Sequence, residues 1–159
     1  MITFDENGAR FVYRVTGIAL HDDHVLIHRA ARDDYWSLPG GRCEIMEPSR
    51  ETLRREMREE LDVEIQVGRL LWVVENFFVH TGVPYHELGL YYLMTFPGDC
   101  HLYRSTGPFR GDEEGIDLVF AWFPLEDLHE SALFPTFLRE SLNALPAVTE
   151  HVVHRDEEE

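Results

Sequence analysis

The chain has 159 residues and a formal net charge of −16, from 30 acidic and 14 basic side chains. This length fits one domain with a buried core, and the acidic charge disfavours general nucleic-acid binding and binding to anionic membranes. Every basic residue is an arginine, which excludes a lysine nucleophile or Schiff base. Phosphate groups would therefore have to be held by arginine, backbone amides or a metal ion.

The N-terminal part of the chain predicts a sheet. Two apolar segments, 2–5 and 10–21, flank Asn7-Gly8, a strong signal for a two-residue hairpin turn, and residues 25–29 form another short strand. The chain then reaches Pro39-Gly40-Gly41. Two glycines there allow the backbone to approach a ligand and to direct a carbonyl group towards it.

A helix is predicted after this loop, beginning at Pro48 and Ser49. Proline is tolerated in a first turn, and a serine side chain can accept a hydrogen bond from a free backbone N–H. Leu53, Met57 and Leu61 recur at every fourth residue and form an apolar stripe that should pack inward.

The same helix carries a second stripe, made of carboxylates. Glu56 and Glu60 are four residues apart and Glu59 lies beside them, while Arg55 precedes Glu59 by four residues. Arg55 offsets part of the repulsion among the carboxylates, and a hard divalent cation would offset the rest. The alternative interpretation is a solvated charged face, but it gives no reason for the glycine loop or for Glu47 ahead of the helix.

Residues 41–63 closely resemble the Nudix box, G-x5-E-x7-R-E-U-x-E-E-x-G-U, in which U is a bulky aliphatic residue. Eight of its nine fixed positions match: Gly41, Glu47, Arg55, Glu56, Met57, Glu59, Glu60 and Val63. Asp62 stands where the family has glycine. Because aspartate can adopt a left-handed conformation at some cost, we expect local strain there and an intact turn.

The later elements fit the fold that this resemblance implies, an α/β Nudix-like α/β/α sandwich with a mixed sheet and a loop-helix-loop catalytic motif. We predict a long hairpin from segments 63–80 and 85–96 around a turn at 81–84, a strand at 118–123, a helix at 135–145 and a strand at 150–154. We expect a single domain over residues 1–155, followed by an acidic tail at 156–159.

Residues 97–117 are rich in glycine, proline and charge, and long loops in compact domains are often functional. We interpret this segment as a candidate lid. It carries Glu113, Glu114 and Asp117, the alternatives to the helix for the catalytic base, although a solvated acidic turn would look the same.

The resemblance implies a pyrophosphohydrolase that cleaves a nucleoside diphosphate linked to another group, with water attacking phosphorus. Mg²⁺, or Mn²⁺ as a substitute, would neutralise the phosphate charge. By resemblance the metal ligands are the Gly40 carbonyl, Glu56, Glu59 and Glu60, with Glu59 either a ligand or the base. Arg55 completes the catalytic set and, with Glu47, holds the loop against the helix.

The sequence carries none of the marks of the ADP-ribose, diadenosine polyphosphate or NADH hydrolases of the family. Their absence favours a MutT-like enzyme acting on a nucleoside triphosphate or an oxidised nucleotide. A nucleotide sugar, ADP-ribose, a regulatory module without turnover and an unrelated acidic interaction protein remain alternatives. Side chains able to support a nucleobase are Arg14, Tyr35, Phe77, Phe78, Tyr85, Tyr91 and Phe109. We take Arg14, Tyr35 and Glu114 as the substrate-binding candidates.

Several polar residues carry no strong signal. Glu75, His86 and Glu87 lie on the hairpin expected to overlook the site, but lone polar residues in strands often face solvent. His24 and His28 share a strand, where their spacing does not bring two imidazoles together as a helix would.

Targeting and partner signals are also weak. Two cysteines make neither a disulfide framework nor a zinc pattern, and no apolar run is long enough for a membrane helix. We expect a cytoplasmic protein with a small nucleotide as its ligand and no membrane partner, and we allow for a homodimer.

Overall fold

The computed structural model describes residues 1–113 and 115–157, except for the side chains of residues 112 and 113. Its strands are β1 (Thr3–Glu6), β2 (Ala9–Ile18), β3 (Leu20–His21), β4 (His24–Ala30), β5 (Gly40–Arg42), β6 (Gln66–His80), β7 (Val83–Thr95), β8 (Phe109–Glu113), β9 (Ile116–Pro124) and β10 (Glu150–Arg155). Its α-helices are α1 (Ser49–Leu61) and α2 (Leu138–Ser141), and 3₁₀ turns occupy His101–Arg104 and Leu125–Glu130. The predicted α/β class is confirmed.

The strands form two sheets. A six-stranded sheet has the order β1-β2-β7-β6-β10, with β5 paired to β2, and it is mixed because β2 and β7, and also β6 and β10, run parallel. A four-stranded antiparallel sheet has the order β3-β4-β9-β8. The parallel pairing of β2 with β7 brings the N-terminal strand beside the long central hairpin.

Two tight turns explain the hairpins of the larger sheet. Asn7-Gly8 joins β1 to β2 with φ of 51° and 80°, as the sequence predicted. Thr81-Gly82 joins β6 to β7 with φ of 49° and 78°, so the second turn is shorter than predicted and β7 begins at Val83. Positive φ at both central residues matches the twist of the flanking strands.

The predicted strand 10–21 is divided between the two sheets. β2 ends at Ile18 in the large sheet, and β3 begins at Leu20 in the small one. The carbonyl of Ala19, between them, accepts a hydrogen bond from Leu26 N at 3.0 Å. This crossing couples the sheets through one buried residue.

Helices cover both faces of the sheets. On one face, Leu53 and Met57 of α1 are fully buried in a cluster with Val15 and Tyr92. On the other face, residues of the 3₁₀ turn 125–130 and of α2 pack on the central strands in a second cluster that includes Trp72, Val74, Leu128 and Leu138. Full burial of such side chains stabilises the fold by about 1.5–3 kcal/mol each. The layers are those of the predicted sandwich.

Helix α1 begins at Ser49 and ends before Asp62, as predicted, but the expected serine cap is absent. The Ser49 hydroxyl does not cap the helix but hydrogen-bonds the Tyr92 hydroxyl at 2.7 Å, because the helix start lies against β7. Asp62 adopts the expected left-handed conformation with φ of 53°, and its N–H donates to the Arg58 carbonyl at 3.0 Å.

The predicted helix at 135–145 is wrong in extent, since α2 has only four residues. The chain turns after Leu142, and the Asn143 side-chain amide donates to the carbonyls of Leu125 and Arg139 at 3.2 and 3.4 Å. These bonds tie the segment to the preceding 3₁₀ turn, so the chain packs as short turns rather than as a longer helix.

The predicted loop at 97–117 is also wrong in part. It contains a 3₁₀ turn at His101–Arg104 and the strand β8, which pairs with β9. Gly111 allows this strand to approach α1: a Cβ there would lie 2.4 Å from the Phe120 ring and 2.7 Å from the Glu60 carbonyl oxygen. The segment is therefore built into the sheet beside the end of α1.

The C-terminal strand β10 is present as predicted and runs parallel to β6. Asp156, which we assigned to the tail, accepts hydrogen bonds from the Thr136 hydroxyl at 2.5 Å and from the Thr136 N–H at 3.3 Å. Within the described ranges, no helix is long and apolar enough to span a membrane.

Candidate functional site

The glycine loop and α1 meet at the carboxylate of Glu56. Gly40 and Gly41 belong to β5, which pairs with β2 opposite Thr16 and Val15. A Cβ on Gly41 would lie 2.1 Å from Cδ of Glu56, so a side chain there would displace the Glu56 carboxylate. The glycine is therefore required for the strand and the helix carboxylate to pack together.

Arg55 is the cation at the centre of the box. Its Nη1 donates to Glu56 Oε1 at 2.8 Å and to Glu59 Oε2 at 3.3 Å, while Nη2 donates to the Arg42 carbonyl at 3.1 Å. Its Nε donates to Glu47 Oε2 at 2.8 Å. One guanidinium thus joins the loop, β5 and two carboxylates of the helix, as the resemblance implied.

Hydrogen bonds from the loop and the helix hold Glu47 in place. Besides Arg55, it receives hydrogen bonds from the Thr52 hydroxyl at 2.6 Å and from the Glu44 N–H at 3.3 Å. These donors, Arg55 first, lower the pKa of Glu47 to about 2. The carboxylate is therefore ionised and fixes the loop to the helix.

The three helix glutamates differ in exposure. Glu56 and Glu60 are buried, with 8% and 3% of their surfaces exposed, whereas the Glu59 side chain is 56% exposed. Burial raises the pKa of Glu56, and the charge of Arg55 opposes that rise. Two buried carboxylates and one accessible carboxylate therefore share a single helix turn.

Sequence reasoning missed His28 as a neighbour of this cluster. Its Nδ1 lies 3.9 Å from Glu60 Oε2, and the ring is buried. Burial and the charge of Arg14 lower the pKa of His28 to about 3, so the imidazole is neutral. No sequence signal could have found this contact, because it depends on how β4 packs against α1. His24, in contrast, bonds the Asp22 carbonyl at the surface.

A cavity of about 610 Å³ lies on the face of the large sheet opposite α1. The candidates Arg14 and Tyr35 both line it, with Arg42 from β5, Phe78 and Tyr85. The Arg14 Nη2 donates to the Leu38 carbonyl at 2.9 Å. β5 links the cavity to the box, since Arg42 lines the cavity and the preceding Gly41 contacts Glu56. A second hollow of about 410 Å³, near His21 and Trp122, has no lining residue in common with it.

The other aromatic candidates separate into two groups. Tyr91 also lines the cavity. Phe77 does not line it; its ring is stacked on His86 and covered by Arg155. Phe109 is stacked on Phe120 beside the core.

The hairpin glutamates also differ. Glu87 is buried in the cavity wall, so a solvent-facing position is wrong for this residue. Glu75 pairs with His151 near the surface at 2.7 Å, as expected of a lone polar strand residue.

Glu114 lies outside the described residues, and the side chain of Glu113 is likewise outside them. Asp117 is exposed and lies 3.7 Å from the exposed Arg110.

The candidate metal ligands are all oxygen donors, which suit a hard cation. In the part of the chain that the structure describes, no three His, Cys, Asp or Glu side chains already converge as a metal site. Arg55 instead donates hydrogen bonds to the carboxylates of Glu56 and Glu59. All the candidate donors are carboxylate or carbonyl oxygens, which Mg²⁺ and Mn²⁺ prefer.

Two curated proteins are similar to this chain in sequence. A protein of Bacillus subtilis (strain 168) named "Putative ADP-ribose pyrophosphatase YjhB" is 36% identical over 114 residues, which cover 71% of this chain and 50% of YjhB. The "Uncharacterized Nudix hydrolase YvcI" of the same organism is 29% identical over 126 residues, 79% of this chain and 74% of that protein. The match thus spans half the length of YjhB.

Solved structures share the fold. An ADP-ribose pyrophosphatase from Streptococcus suis superimposes with a TM-score of 0.59 at 15% identity, covering 90% of this chain and 98% of the other. A MutT NUDIX hydrolase from Burkholderia pseudomallei has a TM-score of 0.59 at 23% identity, covering 81% and 95%. The family model described as NUDIX domain matches residues 11–145. The chain belongs to the Nudix family.

Proposed function

We propose that this protein is a Mg²⁺-dependent pyrophosphohydrolase of nucleoside diphosphates linked to another group, and that its substrate is a nucleoside triphosphate or an oxidised nucleotide. The main support is the buried pair Glu56 and Glu60 beside exposed Glu59, on a helix that packs against Gly41, while the adjacent Arg42 lines a 610 Å³ cavity. A clustered carboxylate set beside a roomy cavity suits a phosphate-bound metal and an attacking water.

In this proposal each residue of the box has a distinct task. Glu56, Glu59 and Glu60, with the Gly40 carbonyl, would hold Mg²⁺ or Mn²⁺, which supplies charge neutralisation on the phosphates and a polarised water. Glu59 is the accessible carboxylate, and if the other groups hold the metal, it would instead take the proton of the water as the water attacks phosphorus and the anhydride P–O bond breaks. Arg55 positions the carboxylates, and Arg14 and Tyr35 hold the base or sugar.

A second substrate, ADP-ribose, is favoured by the YjhB match, since that protein is named for this activity. The aromatic and arginine side chains of the cavity suit either an adenosine or another nucleoside. The two candidates share the reaction and differ in the base and in the group that the second phosphate carries.

The test is product release from nucleoside triphosphates and from ADP-ribose, with Mg²⁺ and with excess chelator. We expect Mg²⁺-dependent turnover that the chelator abolishes and that Glu59→Gln lowers by at least ~10²-fold. Glu51→Gln, an exposed glutamate on the same helix, is the matched control and should leave turnover unchanged. Nucleotide binding without turnover would support a regulatory module. If the protein neither binds nor hydrolyses any of these nucleotides, the proposal is overturned. Light scattering of the same preparation tests the homodimer, which stays a prediction.

A further inference from the structure

The inner wall of the cavity is polar, although it lies in the middle of the large sheet. Thr16 on β2, Asn76 on β6 and Glu87 on β7 all line the cavity, and only 2%, 4% and 9% of their surfaces are exposed. Asn76 and Glu87 are directly opposite each other across the β6–β7 pair. We call these three residues the polar wall.

Two buried oxygen atoms of the polar wall lack a hydrogen-bond partner among the described residues. They are Asn76 Oδ1 and Thr16 Oγ1. Leaving such a group unpaired is unfavourable, because the group has lost its hydration without gaining a partner. Buried polar atoms that line an open cavity are satisfied by whatever occupies it, so these atoms indicate a ligand.

Glu87 adds a buried carboxylate to the polar wall. Burial raises the pKa of Glu87, while Arg14, a hydrogen bond from Asn76 and Arg42 act in the opposite direction. N–H groups of a ligand would replace hydration that the carboxylate lost on burial.

The outer part of the cavity is suited to a flat ring. Phe78 and Tyr85 are stacked with ring centroids 4.9 Å apart, and Tyr35 lines the same cavity. Aromatic rings around a polar end are the arrangement that holds a planar ring by its faces and reads its edge by hydrogen bonds.

The atoms of the polar wall indicate which base edge it would bind. With the Asn76 amide group turned towards Glu87, its Oδ1 and the Glu87 carboxylate are both acceptors. Two acceptors side by side match a ring N–H next to an exocyclic amino group, which guanine presents. Adenine and cytosine each present a donor next to an acceptor on the same edge, and hypoxanthine lacks the amino group.

We propose that Thr16, Asn76 and Glu87 determine the substrate specificity of this site by binding the paired N–H donors of a guanine-class base. This inference rests on the proposed function, because it assigns the base to the nucleotide substrate. The acceptors of the polar wall select the base edge, and the carboxylates of the box act on the phosphates.

The experiment compares kcat/KM for GTP, ITP and ATP with Mg²⁺ in the unchanged protein, Glu87→Gln and Glu75→Gln. We expect the unchanged protein to favour GTP over both others by at least ~10-fold, because a site built to bind a donor rejects analogues that lack it. Glu87→Gln replaces one acceptor by a donor and should lower kcat/KM for GTP by about 10- to 100-fold, bringing the GTP to ATP ratio near one. Glu75 precedes Asn76 in the chain and pairs with His151. Glu75→Gln is therefore the control and should leave the GTP to ATP ratio of kcat/KM unchanged.

Two further measurements keep the inference separate from the proposed function. Asn76→Leu should reduce the same ratio, which covers the case in which Glu87→Gln fails to fold. Calorimetric binding of GMP and AMP needs no turnover, and we expect GMP to bind more tightly and to lose that advantage in Glu87→Gln. Turnover of nucleotides with an unchanged GTP to ATP ratio in folded Glu87→Gln and Asn76→Leu would overturn this inference and leave the proposed function intact. A protein that binds GMP selectively but hydrolyses no nucleotide would support the polar wall and refute the hydrolase.

Discussion

Replacing Glu47 by glutamine tests whether charge holds the loop to α1. The Glu47 carboxylate accepts hydrogen bonds from Arg55 Nε at 2.8 Å, from Arg55 Nη2 at 3.0 Å and from the Thr52 hydroxyl at 2.6 Å. Glutamine has the same shape but no charge, and its amide nitrogen cannot accept from Arg55. The substitution therefore removes half of a bidentate ion pair and leaves Arg55 with less compensation.

The pKa of Glu47 gives the expected size of the loss in the free energy of unfolding. It falls from an ordinary value of 4.5 to about 2, with Arg55 as the main cause. At ~1.36 kcal/mol per pKa unit, this shift corresponds to roughly 3 kcal/mol of stability. The side chain is 17% exposed, and glutamine keeps one acceptor, so we expect a loss of about 2–3 kcal/mol in the free energy of unfolding at pH 7. For a chain of this size that is a fall of about 5–10 °C in Tm.

The contribution of Glu47 to stability depends on pH. Because the folded pKa is lowered, the contribution of Glu47 is complete above 4.5, its ordinary value, and is lost as the pH falls towards about 2. Urea denaturation at pH 7 and at pH 3 should therefore show a difference between the unchanged protein and Glu47→Gln that shrinks at the lower pH. Glu51→Gln, whose partner Arg54 is on the same helix surface, should cost under ~1 kcal/mol. A loss for Glu47→Gln no larger than the control, or one that is the same at both pH values, would refute the reasoning.

Three other changes test separate parts of the box. Glu60→Gln should lower kcat by at least ~10²-fold with an unaltered circular dichroism spectrum, and near-normal turnover would remove Glu60 from the proposed metal ligands. Gly41→Ala should destabilise the protein by about 1–3 kcal/mol in urea denaturation and abolish turnover, because its Cβ would lie 2.1 Å from Glu56 Cδ. Unaltered stability and turnover would show that the loop relaxes at no cost. Asp62→Gly should raise the free energy of unfolding by about 0.5–1 kcal/mol, because φ at this residue is 53°; a loss of stability would contradict the expected strain.

Local chemistry explains why the box could be predicted from sequence. The spacing of Leu53 and Met57 determines which face of α1 is buried, and the same spacing puts Glu56 and Glu60 on one side of the helix. Positive φ at the Asn7-Gly8 turn follows equally from residue type. Such features depend on neighbours a few residues apart, which the sequence displays directly.

Only the tertiary structure determined the surroundings of the box. His28 comes within 3.9 Å of Glu60 because β4 packs beside α1. Residues 109–113 form a strand because they pair with β9, and Gly111 lets this strand lie close to the same helix. Asn76 and Glu87 become neighbours through strand pairing across the long hairpin, and burial then changes a polar strand residue into a wall of the cavity. Burial and cross-strand register depend on residues far apart in the chain, so a period of two along a strand indicates which residues share a face but not what that face meets.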